Sequence, residues 1–178
     1  MAATASPRVP TPRPHRAPAP ALPPFEALDR THREVLEVLQ QFDKLLAHLD
    51  ENGADEVARA SARAIHDFFE GHAREHHAAE ERDVFPLLLA GADGALADTV
   101  RRLQQDHGWL EEDWLELAPQ IEAIAKGYDW YDLAALRLAL PVFTALYHEH
   151  IGLEESLIYP EAKRRQSALD AGAKTRAS

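Results

Sequence analysis

Residues 76–86 read HHAAEERDVFP and residues 150–160 read HIGLEESLIYP, two versions of one phrase. Aligned on their prolines, they match His76 with His150, Glu80 with Glu154, Glu81 with Glu155 and Phe85 with Tyr159. The spacing H-x-x-x-E sets both side chains on one face of a helix, a turn apart. The competing register, His77 with Glu81, lies opposite Ile151 in the second copy and is rotated by about 100° around the helix. The reading therefore takes His76 and Glu80 inward and expects His77 outside the seam. Glu81 and Glu155 also point off it, as solvated acids or hydrogen-bond partners of the inward residues rather than ligands.

Outward from these phrases, the chain carries four segments in which apolar residues recur in alternating steps of three and four. The first holds Leu28, His32, Val35, Leu39, Phe42, Leu46 and Leu49 and stops at Asn52-Gly53. The second runs from about Asp55 to Leu89, with Ile65, Phe69, His72, His76 and Glu80 on one side. The third holds Leu96, Val100, Leu103, His107, Leu110, Trp114, Leu117, Ile121 and Ile124 and stops at Gly127. The fourth holds Leu136, Leu140, Phe143, Tyr147, His150, Glu154 and Leu157, then fades into basic residues that suit a helix C-terminus. Such periodicity marks helices packed nearly antiparallel about one seam, and short connections make sequential helices neighbours. The expected fold is all-α, an up-down-up-down antiparallel four-helix bundle over residues 25–166. Pro119 and Pro141 are expected to kink their helices or mark short breaks.

Eight prolines among the first twenty-four residues would break any helix there, so residues 1–24 read as a disordered Pro/Ala-rich tail and 167–178 as a flexible C-terminal one. Formal charge is −11, although that first stretch holds three arginines and no acid. So acidic a body disfavours nucleic acid as partner. With no cysteine, disulfides, thiolate zinc sites and cysteine-held iron–sulfur clusters are excluded. No segment reaches the roughly 20 apolar residues of a membrane span, and no secretory h-region is present. The expected location is the cytoplasm.

His32, His76, His107 and His150 each occupy a seam position, one per helix. His32 and His107 come early in odd helices, His76 and His150 late in even ones, so an up-down-up-down bundle brings all four to one level. A single seam histidine is usually a hydrogen-bonded core residue. Four of them with Glu80 and Glu154, and no lysine or arginine in the seams, leave two buried carboxylates unpaired, an imbalance that a bound metal resolves. The donor set suits iron or manganese better than soft metals. Six ligands exceed what one ion takes from protein while keeping reactive positions, so two metals fit better than one, with the glutamates placed to bridge.

His72, a turn before His76, reads as a fifth imidazole or an outer hydrogen-bond partner; Glu111, four after His107, as a seventh ligand or a surface acid. Tyr147 fills the seam or donates a hydrogen bond into the site. Trp109, Trp114 and Trp130 read as packing and loop caps, and His15, His48, His66 and His148 as surface residues.

The combination His32, His76/Glu80, His107 and His150/Glu154, with Phe85-Pro86 and Tyr159-Pro160 trailing each H-x-x-x-E, resembles the hemerythrin-like (HHE cation-binding) family over about residues 25–165. The resemblance implies a non-haem centre of two iron ions with an oxo or hydroxo bridge and two bridging carboxylates. It also implies a small partner such as O2, NO or peroxide. The oxygen-carrying members hold two helix-three histidines in H-x-x-x-H spacing, and here Glu111 stands at the second place. Two readings follow: a di-iron protein handling such a ligand, with turnover undecided, and a non-catalytic iron or oxygen sensor presenting a protein-binding segment in its tail.

Overall fold

The computed structural model describes residues 25–91 and 94–177, all helical apart from the connections. The tail expected at residues 1–24 lies outside the described residues. Helix α1 is Phe25–Asn52. Helix α2 covers 56–89 as three α segments, Glu56–Phe68, Arg74–Ala79 and Phe85–Leu89, joined by π turns at Phe69–Ala73 and Glu80–Val84. Helix α3 is Gly94–Lys126, and α4 covers 133–177 with a π turn at Glu154–Ile158. Each helix packs on its sequence neighbour and α1 closes against α4, the expected four-helix bundle. Among the described residues no helix is long and apolar enough to cross a membrane.

Local chemistry sets the boundaries. Gly53, at φ +69°, ends α1 in the left-handed conformation that costs glycine least. Asp55 then caps α2 by accepting from the Ala58 N–H at 2.9 Å. Asp132 caps α4, accepting from Ala134 at 2.9 Å and Ala135 at 3.0 Å. From α4, the Arg165 guanidinium donates to the carbonyls of Leu88 (2.7 Å) and Ala90 (2.9 Å), which closes the C-terminal end of α2.

No short break falls at Pro119 or Pro141, whose helices run on through them; both prolines are exposed, where water can serve the carbonyls they release. The interruptions are instead the π turns, in which the Phe85 N–H bonds back to Glu80 and the Tyr159 N–H to Glu154. Each extra residue moves the inward face on by one. Leu157, placed on the seam by constant periodicity, is therefore 43% exposed while Ile158 is buried. In α2, Ala73 is buried and His72, expected on the seam, is exposed, because the helical step of about 100° from Phe69 brings Ala73 nearer the inward face. In α1 the inward leucine is Leu45, with Leu46 only half-buried. Helical structure also continues to Ala177, past the boundary expected at 166.

The core has two apolar layers. One holds Leu39, Phe42, Phe69, Trp114, Phe143 and their neighbours; the other holds Leu28, Phe85, Leu88, Leu103, Ile158 and Tyr159. Between them lies a polar layer made of the buried histidines and glutamates.

Candidate metal centre

His32 on α1, His76 on α2, His107 on α3 and His150 on α4 are all buried, and Glu80 and Glu154 are fully so. The Nε2 atoms of all four histidines face the two carboxylates. Glu80 spans the layer: its Oε1 is 3.5 Å from His76 Nε2 and 4.0 Å from His32 Nε2, and its Oε2 is 3.5 Å from His107 Nε2. Glu154 spans it the other way, with Oε2 at 3.2 Å from His32 and 3.3 Å from His150, and Oε1 at 3.9 Å from His107. The Nε2 atoms of His107 and His150 are 3.1 Å apart.

A second ring of groups orients the first. Nδ1 of His107 donates to Glu81 Oε1 at 2.9 Å and Nδ1 of His32 to Glu155 Oε1 at 3.1 Å. Those hydrogen bonds at Nδ1 make Nε2 the inward-facing nitrogen of each ring. Asp106, itself buried, stands 3.8 Å from His150 Nδ1. The Tyr159 hydroxyl donates to Glu80 Oε1 and lies 3.0 Å from His32 Nε2, its ring stacked on that imidazole.

Charge in this layer is unbalanced without a cation. Both His76 ring nitrogens, Glu80 Oε2 and both Glu154 carboxylate oxygens are buried with no hydrogen-bond partner, although such atoms are rarely left unmatched in a folded core. Without metal, protons take up part of the role. Burial pulls the His107 imidazolium down, but Glu154 and Glu80 outweigh it and lift its pKa to about 10. His150 follows, burial opposed by Asp106 and Glu154, with a net rise to about 9. Burial and the Glu154 charge push Glu80 up to about 7. Burial favours a neutral Glu154 as well, yet the three imidazoles of His107, His150 and His32 hold its carboxyl well below the usual range. His76 falls to about 3, mainly through burial and then the charge of His32. Orphaned oxygens, converging ring nitrogens and the neutral His76 imidazole together fit a hard or intermediate cation.

Thus all six residues expected as principal ligands meet in one layer. His72 does not join them: it is exposed and edge-on to Phe68. Glu111 is exposed too and is ion-paired with Arg74. Tyr147 is buried among Phe69, Phe143 and His77. Trp114 packs inside, its indole N–H donating to Glu70 at 2.9 Å, whereas Trp109 and Trp130 are exposed. His77, expected outside, turns inward instead: half-buried, it stacks on His107 with ring centres 4.1 Å apart. Burial and its imidazole neighbours keep its pKa well below the ordinary value. Asp106 and Tyr159 were also missed as site residues. The mismatch of Tyr159 with Phe85 in the aligned phrases was the available signal for one, and the doubled histidine for His77.

Four helices around a buried layer of imidazoles and carboxylates define a cation-binding bundle. The chain matches the hemerythrin HHE cation binding domain over residues 24–162 and belongs to that family. It is also similar to an uncharacterized protein of Haemophilus influenzae, 28% identical over 134 residues that cover 75% of this chain and 76% of that one. No solved structure matches.

Proposed function

We propose that the protein holds two iron ions side by side in this layer and that the pair meets a small oxygen-type ligand, O2, NO or peroxide. One observation carries the reading. Donor atoms of His32, His76, Glu80 and Glu154 form one metal-sized cluster, those of Glu80, His107, His150 and Glu154 a second, and the two share both carboxylates. Each glutamate spans the histidine pairs, as a bridging carboxylate must.

When bound, iron supplies open coordination positions and redox chemistry to a diatomic or peroxidic ligand. The chain's own residues do the rest. Glu81 and Glu155 fix two imidazoles, Tyr159 offers a proton beside Glu80, and the apolar layers on either side keep bulk water out. A groove of about 510 Å³ between α2 and α3 ends at His107 and His77, which supports entry of a small molecule from solvent. Manganese fits the same donors, so metal analysis is part of the test.

Full-length protein purified without added metal should contain two iron ions per chain, and its optical spectrum should change on exposure to O2 or NO. His76→Ala and His150→Ala should each lose much of the iron, while His148→Ala, on an exposed position, should not. Protein that binds iron with no spectral response to O2, NO or peroxide would refute the ligand half of the proposal. Retention of full iron in both buried variants would refute the site.

A further inference from the structure

The two halves of the centre are related by the repeated phrase, and two inner positions break the relation. Tyr159 stands where α2 has Phe85, and His77 where α4 has Ile151. His77 is the less explained of the two. Its ring lies nearly parallel to His107, at 13°, and 5.5 Å from His150. Nitrogens of His77, His107 and His150 all lie within 4.8 Å of one another, a third metal-sized cluster. Among the described residues no hydrogen bond holds its imidazole.

A π turn, Phe69–Ala73, also lies shortly before His76 and His77. The π turns Glu80–Val84 and Glu154–Ile158 each begin on a buried glutamate and end before a proline. Phe69–Ala73 has neither feature, and α4 has no counterpart, being regular α-helix from Leu133 to Leu153. Along this stretch Phe69, Ala73, His76 and Glu80 are buried and His72 is exposed, while His77 flanks His76 half-buried, on the side that meets His107. A π turn is less stable than α-helix and recurs at functional sites. Stacking alone would not need a histidine, since Phe85 stacks on the same His107 ring at 5.6 Å.

We infer that His77 is a metal ligand, completing a three-imidazole half-site with His107 and His150. The two metal positions are then unequal: one has His77, His107 and His150, the other His32 and His76 with the Tyr159 hydroxyl alongside, and both share Glu80 and Glu154. The inference rests on the two-metal reading above.

Its test is anaerobic titration of the full-length apo protein with Fe(II), and separately Co(II), against a competing chelator. His77→Phe keeps an aromatic ring against His107 and removes the donor nitrogens; Ile151→Ala controls for disturbance at the matching position. Wild type should bind two ions. His77→Phe, with unchanged helical content, should bind one of them at least about tenfold more weakly, and its Co(II) form should lack one shifted imidazole N–H resonance. Two ions bound by His77→Phe with wild-type affinities and a full set of imidazole resonances would overturn the ligand role and leave the two-metal centre standing. Wild type binding fewer than two ions would overturn both. If His77→Phe does not fold, His77→Gln is measured against the same criteria.

Discussion

Glu81 Oε1 lies 2.9 Å from Nδ1 of His107, across the α2–α3 contact. Glu155 repeats the arrangement toward His32, across α4 and α1, at 3.1 Å. The second glutamate of each phrase therefore serves an imidazole on a different helix, while the first lies inside the layer. An ionised carboxylate on Nδ1 fixes both tautomer and ring angle. Glu81→Ala and Glu155→Ala should each weaken metal binding about 10–100-fold without loss of helical content. Chelator competition measures it, and wild-type affinity in both would mean that the inner donors need no such support.

Tyr159→Phe tests the other contact within the layer. The phenol is the donor reaching Glu80 Oε1, and its loss leaves a buried carboxylate oxygen with one partner fewer. The apo protein should lose about 1–3 kcal/mol, read as a lower urea midpoint at unchanged slope. Iron-loaded protein should be less affected, because Glu80 then has the metal. An equal loss in both forms would show that what the hydroxyl contributes does not depend on a metal reaching Glu80.

These contacts show how far sequence carried the fold. Steps of three and four gave all four helices, with Gly53, Gly91 and Gly127 at their ends, because packing of one apolar face constrains every turn equally. The six buried donors followed, since an ionisable group in an apolar seam stands out. Periodicity could not supply the π turns. One inserted residue leaves no compositional mark, yet it exchanged Leu157 for Ile158. His72 and His77 were misplaced because steps of three and four were followed where the helical step of about 100° favours Ala73 and sets His77 at the edge of the seam. Glu111 illustrates a different limit: four after His107 it had the spacing of a ligand, but it sits on the outer face, paired with Arg74.

Arg165 links the ends of α2 and α4. Its guanidinium meets the carbonyls of Leu87, Leu88 and Ala90 and, through Nε, the Glu161 carboxylate at 2.7 Å. Arg165→Ala should cost about 1–3 kcal/mol, lowering Tm by about 2–4 °C per kcal/mol for a chain of this size. Metal affinity should stay within a factor of about two, because Val84, Phe85 and Leu88 keep Glu80 anchored from within the core. A Tm equal to wild type would show that water satisfies those carbonyls as well as the arginine does.

Metal uptake should expel protons. At pH 7.5 the metal-free protein carries protons on His107 and His150, whose pKa values are raised to about 10 and 9. A ligand imidazole with Nδ1–H bonded to a carboxylate must give up the Nε2 proton to bind. Calorimetric titration with Fe(II) in two buffers of different ionisation enthalpy should show about two protons released per chain. No dependence on buffer would mean that these histidines are already neutral in the apo protein.

The same shifts set the direction in which pH moves stability. His107 and His150 have folded pKa values above the unfolded value of about 6.5. Their contribution to the apo fold is complete below pH 6.5 and is lost as pH rises through about 9 and 10, because the native state then binds more protons than the unfolded one. Deprotonation there leaves Glu154 and Glu80 facing each other with no positive charge between them. Apo protein should therefore lose melting temperature steadily from pH 7 to pH 10. Metal binds only the folded chain and adds RT ln(1 + [L]/Kd), about 4 kcal/mol when free metal is 1,000-fold above Kd. It also replaces the missing positive charge, so the loaded protein should hold its melting temperature over the same range. The gap between the two should widen toward alkaline pH and close in acid, where protons displace the metal before the helices unfold. Melting curves of apo and iron-loaded protein at pH 5, 7 and 9 measure this. A gap that is constant across the three would mean that protons and metal do not compete for the same buried layer.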